Sequence, residues 1–316
     1  MKVLVTGGAG FIGSHLCDAL HARGDDVWCV DNLLLGREAN IVQLKGSNRF
    51  HFFEADVMDR TSMDPIFKDG GFDVIYHLAA NSDIQRGGSD HSVDLNLTFH
   101  TTFEILEQAY RHGIKRIFFA STSAVFGETD KLLHEDFGPL RPISFYGASK
   151  LAGEAFASVY ANNYDITVNI LRFPNIVGAR ATHGAIFDFI RKLKANPAEL
   201  TVLGDGTQKK PYLLVQELVK AIMLIDRPEK GYFVFHAGPK DLVTVKEMAQ
   251  IVIQEMNLPH CAIKFTGGDR GWTGDVPTFN YDISKIQRLG WQPAHTSSEA
   301  IRLAVRQLLG SSSPTG

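Results

Sequence analysis

Lys2-Val-Leu-Val-Thr-Gly-Gly-Ala-Gly-Phe-Ile-Gly-Ser14 is the stretch that decides how this chain is read. A short apolar run ends at Thr6, glycines stand at 7, 10 and 13, and Ser14 opens an apolar-periodic segment to Ala22, giving a buried strand, a tight turn and a helix. Gly7 suits the turn, Gly10 a close approach of backbone to an anion, and Gly13 the packing of helix on strand. The amides of Phe11 and Ile12 at the helix start face that anion, and a pyrophosphate fits it.

The pattern continues outward. Apolar or β-branched runs at Val27 to Asp31, Phe50 to Glu54, Val74 to Leu78, Arg116 to Ser121 and Thr167 to Arg172 alternate with helical stretches, clearest at Ser14 to Ala22, Leu97 to His112 and Ser149 to Asn162. Near-continuous apolarity predicts strands covered on both faces, hence an α/β, doubly wound parallel sheet. After Arg172 the alternation weakens and Gly178, Gly184, Pro197, Gly204, Gly206 and Pro211 punctuate the chain. The expected organisation is a dinucleotide-binding domain at 1–172, to which 215–243 returns through a helix (Val215 to Ile225) and a strand (Tyr232 to Ala237). A smaller lobe would comprise 173–214 and 244–310, with a helix from Val245 to Met256 and a disordered tail at 311–316.

Composition excludes several classes. Apolar residues make up 44% of the 316, and 32 Lys and Arg face 35 acidic residues, a net charge of −3 that gives no general attraction for nucleic acid or an anionic membrane. Lys209-Lys210 is too short to change that. No apolar run reaches the roughly 18 to 20 residues of a membrane span, so a soluble protein is expected. Cys17, Cys29 and Cys261 are scattered and odd in number, which favours a reducing, cytoplasmic setting over a disulfide framework. No metal site is expected: the 12 histidines include no HExxH, and His77 reads as packing at a strand end.

Asp31, followed by Asn32, ends the second strand, where a carboxylate accepts hydrogen bonds from both adenosine ribose hydroxyls and repels a 2′-phosphate. The cofactor expected is therefore NAD; the alternative for Asp31 alone is a solvated strand end, and Arg37, beyond the turn, reads as a surface cation. Asp56-Val57 follows the third strand and suits the adenine amino group, while Leu78-Ala79-Ala80 places small residues where a cofactor passes the fourth strand.

Tyr146-Gly-Ala-Ser-Lys150 sets a phenol and an ammonium four residues apart, on one helix face if the helix extends back to begin here. The ammonium and a positive nicotinamide would lower the phenol pKa, making Tyr146 a general base; a plain amphipathic helix start is the bland alternative. Ser121-Thr-Ser-Ala-Val-Phe-Gly127 supplies hydroxyls at the C-terminal end of an apolar strand, and any of Ser121, Thr122 or Ser123 can serve as third partner.

Together TGGAGFIG, the acidic end of strand two, HLAA, the hydroxyl-rich strand end and YxxxK resemble the extended short-chain dehydrogenase/reductase family. Leu171-Arg-Phe-Pro-Asn175-Ile-Val-Gly178, Leu203-Gly-Asp-Gly-Thr-Gln208 and Gly271-Trp-Thr-Gly-Asp-Val-Pro277 are similar to its nucleotide-sugar epimerase and dehydratase branch. The resemblance covers residues 1 to about 310 and is nearest to the UDP-glucose/UDP-galactose 4-epimerases, which have a counterpart of Thr182-His-Gly-Ala-Ile-Phe-Asp188.

The resemblance implies a trio of Thr122, Tyr146 and Lys150, Thr122 being singled out by its distance from Phe126-Gly127. It implies substrate contacts at Ser82, Ser123, Asn175, Lys210, Arg270 and Asp275, with a nucleoside-diphosphate sugar as the bound partner and pairing of the helices near 97–112 and 149–162 in a homodimer. The related 4,6-dehydratases carry Asp-Glu directly after the Thr, and the glucuronate decarboxylases a Glu at the second place. Ser123 and Ala124 stand there in this chain, which disfavours elimination and leaves C4 epimerisation as the expected reaction. A net nucleotide-sugar dehydrogenase or reductase is the alternative, and an NAD-sensing binding protein a third. Pro211 and Gln216 depart from the residues common at their places, which leaves the sugar and base open.

Overall fold

The computed structural model describes residues 1–310 except 269, 272 and 273. Its centre is a seven-stranded sheet built from β1 (Lys2–Thr6), β2 (Asp26–Asp31), β3 (Phe50–Glu54), β4 (Val74–His77), β5 (Arg116–Thr122), β6 (Thr167–Phe173) and β7 (Tyr232–His236). Their order is β7-β6-β5-β4-β1-β2-β3, with every neighbouring pair parallel. The order reverses between β1 and β4, the switch point where the carboxyl ends of the strands leave a crevice.

Strand side chains alternate between two cores. Val3, Val5, Cys29, Tyr76 and Phe118 point to one face, where Leu16 and Leu20 of α1 (Phe11–Arg23) cover them; Leu4, Val30, Ile75, Ile117, Phe119 and Ile170 point to the other. That second face is covered by α2 (Arg60–Gly70), α3 (Thr101–Arg111) and α4 (Phe145–Asn163). Helix α2 is not apparent in the sequence, because Pro65 and Gly70 read as breakers. It forms nonetheless: Asp59 caps it by accepting from the Thr61 amide at 3.0 Å, and Met63, Ile66 and Phe67 bury one face.

Two helix starts differ from expectation in ways that matter for the site. The segment expected from Leu97 runs as a π-helix over Leu95–His100 before α3. Helix α4 begins at Phe145 rather than Ser149, because Ser144 caps it through the Gly147 amide at 3.1 Å, so Tyr146 lies in its first turn.

The remaining chain gathers a third core. Helices α5 (Ala185–Ala195), α7 (Val245–Glu255) and α8 (Ser297–Gly310) bury Ile186, Phe189, Leu193, Met248, Val252, Ile301 and Val305 against Leu200, Val202 and Tyr212. Short strand pairs frame it, including Glu199–Val202 with Ala262–Phe265 and Asn175–Val177 with Tyr212–Leu214. Between these pieces α6 (Val215–Ile225) packs Leu218 and Ile222 into the first core, and β7 joins β6 with Tyr232 opposite Val168. Residues 311–316, expected as a tail, lie outside the described residues. Among those described, no helix is long and apolar enough to cross a membrane.

Candidate active site

The turn after β1 is built as the glycine spacing requires. Gly7 adopts φ +70° and donates to Val30 O at 2.8 Å; a Cβ there would stand 2.8 Å from the Ala79 amide nitrogen. At Gly13 a Cβ would meet Gly7 O at 2.1 Å, so helix and strand approach too closely for any side chain. Gly10 caps α1 with no side-chain bond, and a Cβ on it would have only Gly7 O within 4 Å. The first amides of α1, among them Phe11 and Ile12, thus leave the helix uncapped by side chains, a cradle suited to a pyrophosphate.

Asp31 is buried at the end of β2. Its Oδ2 accepts from the Ala9 amide at 3.0 Å and its Oδ1 from the Leu33 amide at 2.9 Å, so the carboxylate braces the glycine turn. Burial raises its pKa, and the backbone hydrogen bonds oppose that rise. Asn32 donates to Asp56 Oδ2 at 2.9 Å, while Met58 N–H donates to Asp56 Oδ1 at 2.8 Å; Val57 is buried beside them. Leu78 and Ala79, with half-buried Ala80, follow β4, Leu78 N–H donating to Thr6 O at 3.1 Å. These residues fit NAD: glycine cradle, uncapped helix start and acidic strand end lie along one crevice. Arg37 is exposed and only its amide, donating to Ala9 O, touches the turn.

His77 is packed, not ligating. Its ring bridges the Thr6 and Thr102 hydroxyls at 2.8 and 3.2 Å, and burial, aided by the Lys150 charge, lowers its pKa to about 3. Among the described residues no group of three or more His, Cys, Asp or Glu is placed to hold a metal.

At the end of β5, buried Thr122 accepts from the Ala124 amide at 3.2 Å and lies against the Tyr146 hydroxyl, which it favours in the ionised form. Lys150, one turn along α4, is buried; its Nζ donates to Ala120 O at 2.7 Å and sits 6.0 Å from the Tyr146 ring centre. Thr122, Tyr146 and Lys150 thus meet at one strand end. Burial dominates the electrostatics of this centre. Burial, together with the Asp94 carboxylate, pushes the Tyr146 phenol well up, and burial lowers Lys150 to about 7 while Glu154 and Asp94 hold it up. A positive nicotinamide beside the phenol, as the sequence reading expects, would act in the opposite, lowering direction.

Residues unnoticed in the sequence support this centre. Glu154, one turn beyond Lys150, receives a two-pronged hydrogen bond from Arg172 on β6 (Nε to Oε1 2.9 Å, Nη2 to Oε2 2.6 Å) and one from Ser121 at 2.5 Å. The 146, 150, 154 spacing is the available signal. Ser121 is therefore occupied by Glu154, which distinguishes it from Thr122, and Ser123 lies next to the buried Tyr281 phenol.

The expected substrate residues are less concentrated. Ser82 is exposed after β4, and Asn175 is exposed at the start of its short strand. Lys210 and Asp275 are both buried and form an ion pair with each other, Asp275 also accepting from the Gly271 amide at 3.3 Å. Arg270 pairs with Glu128, from the loop after β5, at 2.5 Å. Trp272 and Thr273, within the motif that suggested Arg270 and Asp275, lie outside the described residues.

A profile of the NAD dependent epimerase/dehydratase family matches residues 3–233. A putative UDP-glucose 4-epimerase of Methanocaldococcus jannaschii is 33% identical, the match covering 96% of this chain and 97% of that one. UDP-glucuronic acid decarboxylase 4 of Arabidopsis thaliana is 32% identical over 97% of this chain and 68% of its own. The crystal structure of Thermus thermophilus UDP-glucose 4-epimerase in complex with NAD superposes with a TM-score of 0.88 at 30% identity, covering 98% of this chain and 100% of that one. The chain belongs to the NAD-dependent epimerase/dehydratase family of extended short-chain dehydrogenase/reductase enzymes, and its cofactor is NAD.

Proposed function

We propose that this enzyme inverts C4 of a nucleoside-diphosphate sugar, of the UDP-glucose/UDP-galactose type, through a transient 4-keto sugar. The observation that carries the reading is the end of β5: the Tyr146 hydroxyl stands at Thr122, and the next two positions are Ser123 and Ala124. Elimination of water needs one group to protonate the departing hydroxyl and another to remove the C5 proton, and neither side chain has a carboxyl. NAD, when bound, supplies a reversible acceptor for the hydrogen on the sugar carbon. Tyr146 takes the proton of the C4 hydroxyl and returns it, Thr122 orients that hydroxyl, and Lys150 supplies positive charge beside the phenol. Gly7, Gly10, Gly13 and Asp31 hold the dinucleotide. Ser82, Ser123, Asn175, Lys210, Arg270 and Asp275 are assigned to the substrate, whose diphosphate would compete with Asp275 for Lys210 and with Glu128 for Arg270. On this reading 1–172 with 215–243 is the cofactor domain and the rest of 173–310 the substrate lobe.

Exposed Tyr110, Phe156, Val159 and Tyr164, with Phe99 and Phe103 packed at 5.2 and 5.8 Å against Phe156, form an apolar surface along α3 and α4. We assign it to a homodimer contact. Three free thiols agree with a cytoplasmic setting.

The test uses UDP-glucose deuterated at C4. The 4-epimer is expected with deuterium still at C4 and no stoichiometric NADH. A dehydrated sugar refutes the reading, and stoichiometric NADH replaces it with the dehydrogenase alternative.

A further inference from the structure

Helix α1 does more than present its first amides to the dinucleotide. His15 and Asp18, one and two turns after Phe11, meet the turn Gly178–Arg180 that follows the short strand Asn175–Val177. The carbonyl of Ala179 accepts from His15 Nε2 at 3.1 Å, and the Ala179 amide donates to Gln307 Oε1 on α8 at 2.9 Å. Both backbone groups of Ala179 are thus held by side chains, one from the proposed cofactor domain and one from the proposed substrate lobe. Arg180 pairs with Asp18, Nη1 to Oδ2 at 2.7 Å, and the other Asp18 oxygen accepts from Gln43 Nε2 at 2.7 Å.

The turn carries two marks of constraint. Arg180 has φ +65°, a left-handed conformation that a residue with a side chain rarely adopts and that persists only where its surroundings enforce it. At Gly178 a Cβ would stand 2.6 Å from Val215 Cγ1, so the chain is pressed against the start of α6. On one side the support runs back to the glycine turn: Gln43 Nε2 also donates to Asn40 O at 3.0 Å, and buried Asn40 donates to Ala9 O at 2.9 Å. On the other side the strand before the turn pairs with Tyr212–Leu214, Val177 opposite Leu214. That strand pair carries Asn175 and, two residues ahead of Tyr212, Lys210.

We infer that His15, Asp18 and Arg180 are positioning residues: with Ala179 they form a clip that fixes the strand pair bearing Asn175 and Lys210 at a set distance from the pyrophosphate cradle of α1. The reaction needs the cofactor and the sugar carbon in near-contact, and the groups assigned to their two diphosphates lie on opposite sides of this clip. A slack clip leaves each ligand its own contacts but lets the reacting atoms drift apart. A misplacement of about 1 Å caused far from the chemistry can cost on the order of 10²-fold in rate. The signature of the clip is therefore a fall in kcat with little change in the KM for the sugar or in the affinity for NAD. The inference rests on the proposed assignment of Asn175 and Lys210 to the substrate, and its first test uses no sugar.

Amide hydrogen exchange is followed in the NAD-loaded protein for the peptide spanning 175–184. In His15→Leu it is expected to quicken about 10-fold or more, while peptides from β1 and β5 exchange as in the wild type. His15→Gln, whose amide nitrogen can donate to the same carbonyl, is expected to recover at least half of that change. Unaltered exchange in His15→Leu overturns the inference, as does an equal quickening in His15→Gln. Should His15→Leu not fold, Arg180→Met removes only the ion pair and is expected to quicken exchange in the same peptide; unaltered exchange there also overturns it. With a nucleotide sugar that the enzyme turns over, His15→Leu is expected to lower kcat per NAD-loaded site by about 10-fold, with KM within about 3-fold of the wild type. A raised KM at unchanged kcat overturns the positioning role. Failure to turn over any sugar, with the exchange changes as expected, counts against the proposed reaction only.

Discussion

Arg172→Met strips the cation from a carboxylate that has almost no access to water. The Arg172 and Glu154 side chains are 5% and 3% exposed, and their closest contact is 2.6 Å. Burial works against the Arg172 charge, but the hydrogen bonds and charge of Glu154 outweigh it and raise its pKa. Removing one member of such a pair leaves the other buried and uncompensated, at about 3–5 kcal/mol. With an unfolding entropy of about 2.1 cal/mol/K per residue over roughly 310 residues, or about 0.65 kcal/mol/K, that loss lowers Tm by about 5–8 °C. The double replacement Glu154→Met, Arg172→Met removes both charges and fills similar volume, so it is expected to lie within about 2 kcal/mol of the wild type. Urea unfolding of the four proteins closes the cycle. A single-variant loss below about 1 kcal/mol, or a double variant as costly as the two singles added together, refutes the argument that this pair is held by mutual neutralisation.

The remaining expectations concern the cofactor turn, the base and acid stability. Gly13→Ala places a methyl 2.1 Å from Gly7 O, so it should lose NAD binding in a calorimetric titration; near wild-type affinity would contradict the close helix–strand approach. Tyr146→Phe should lower turnover by about 10² to 10⁴ with nucleotide binding little changed, and an unaffected rate would remove Tyr146 as the base. His77 and His236, both buried with pKa values lowered to about 3 by burial first of all, stay neutral in the fold while the unfolded chain takes up protons near pH 6.5. Stability is therefore fully present above pH 6.5 and is lost as pH falls toward 3, at up to about 1.4 kcal/mol per pH unit for each histidine. Urea midpoints at about pH 7.5 and about pH 5 measure this, and His236→Phe should flatten the slope; an equal slope would show that other groups dominate.

The parallel sheet is legible because its interior strands are short, mostly apolar runs that are almost wholly buried, and because the glycine spacing after Thr6 admits few other readings. The cofactor residues and the trio are legible for a similar reason: their signals lie within a few residues of one another. What is hidden depends on partners far apart in the chain. The strands at Glu199–Val202 and Ala262–Phe265 are too short to announce themselves and find each other only across about 60 residues. No spacing rule joins Lys210 to Asp275 or Arg270 to Glu128. The desolvation of the Tyr146 phenol is hidden for another reason, since it is a property of packing and leaves no mark in a motif.

The late arrival of β7 has a consequence for biosynthesis. Strand β6 ends at Phe173, but the strand that covers its outer edge begins at Tyr232. At roughly 5–20 residues per second, a ribosome needs about 3–12 s to deliver the intervening chain. Throughout that interval the amides and carbonyls along Val168 to Arg172 form an uncapped ladder, the kind of edge that pairs with a neighbouring nascent chain. Synthesis of this enzyme thus contains a window in which a holding chaperone, or the speed of translation through 173–231, decides between a finished sheet and an aggregate.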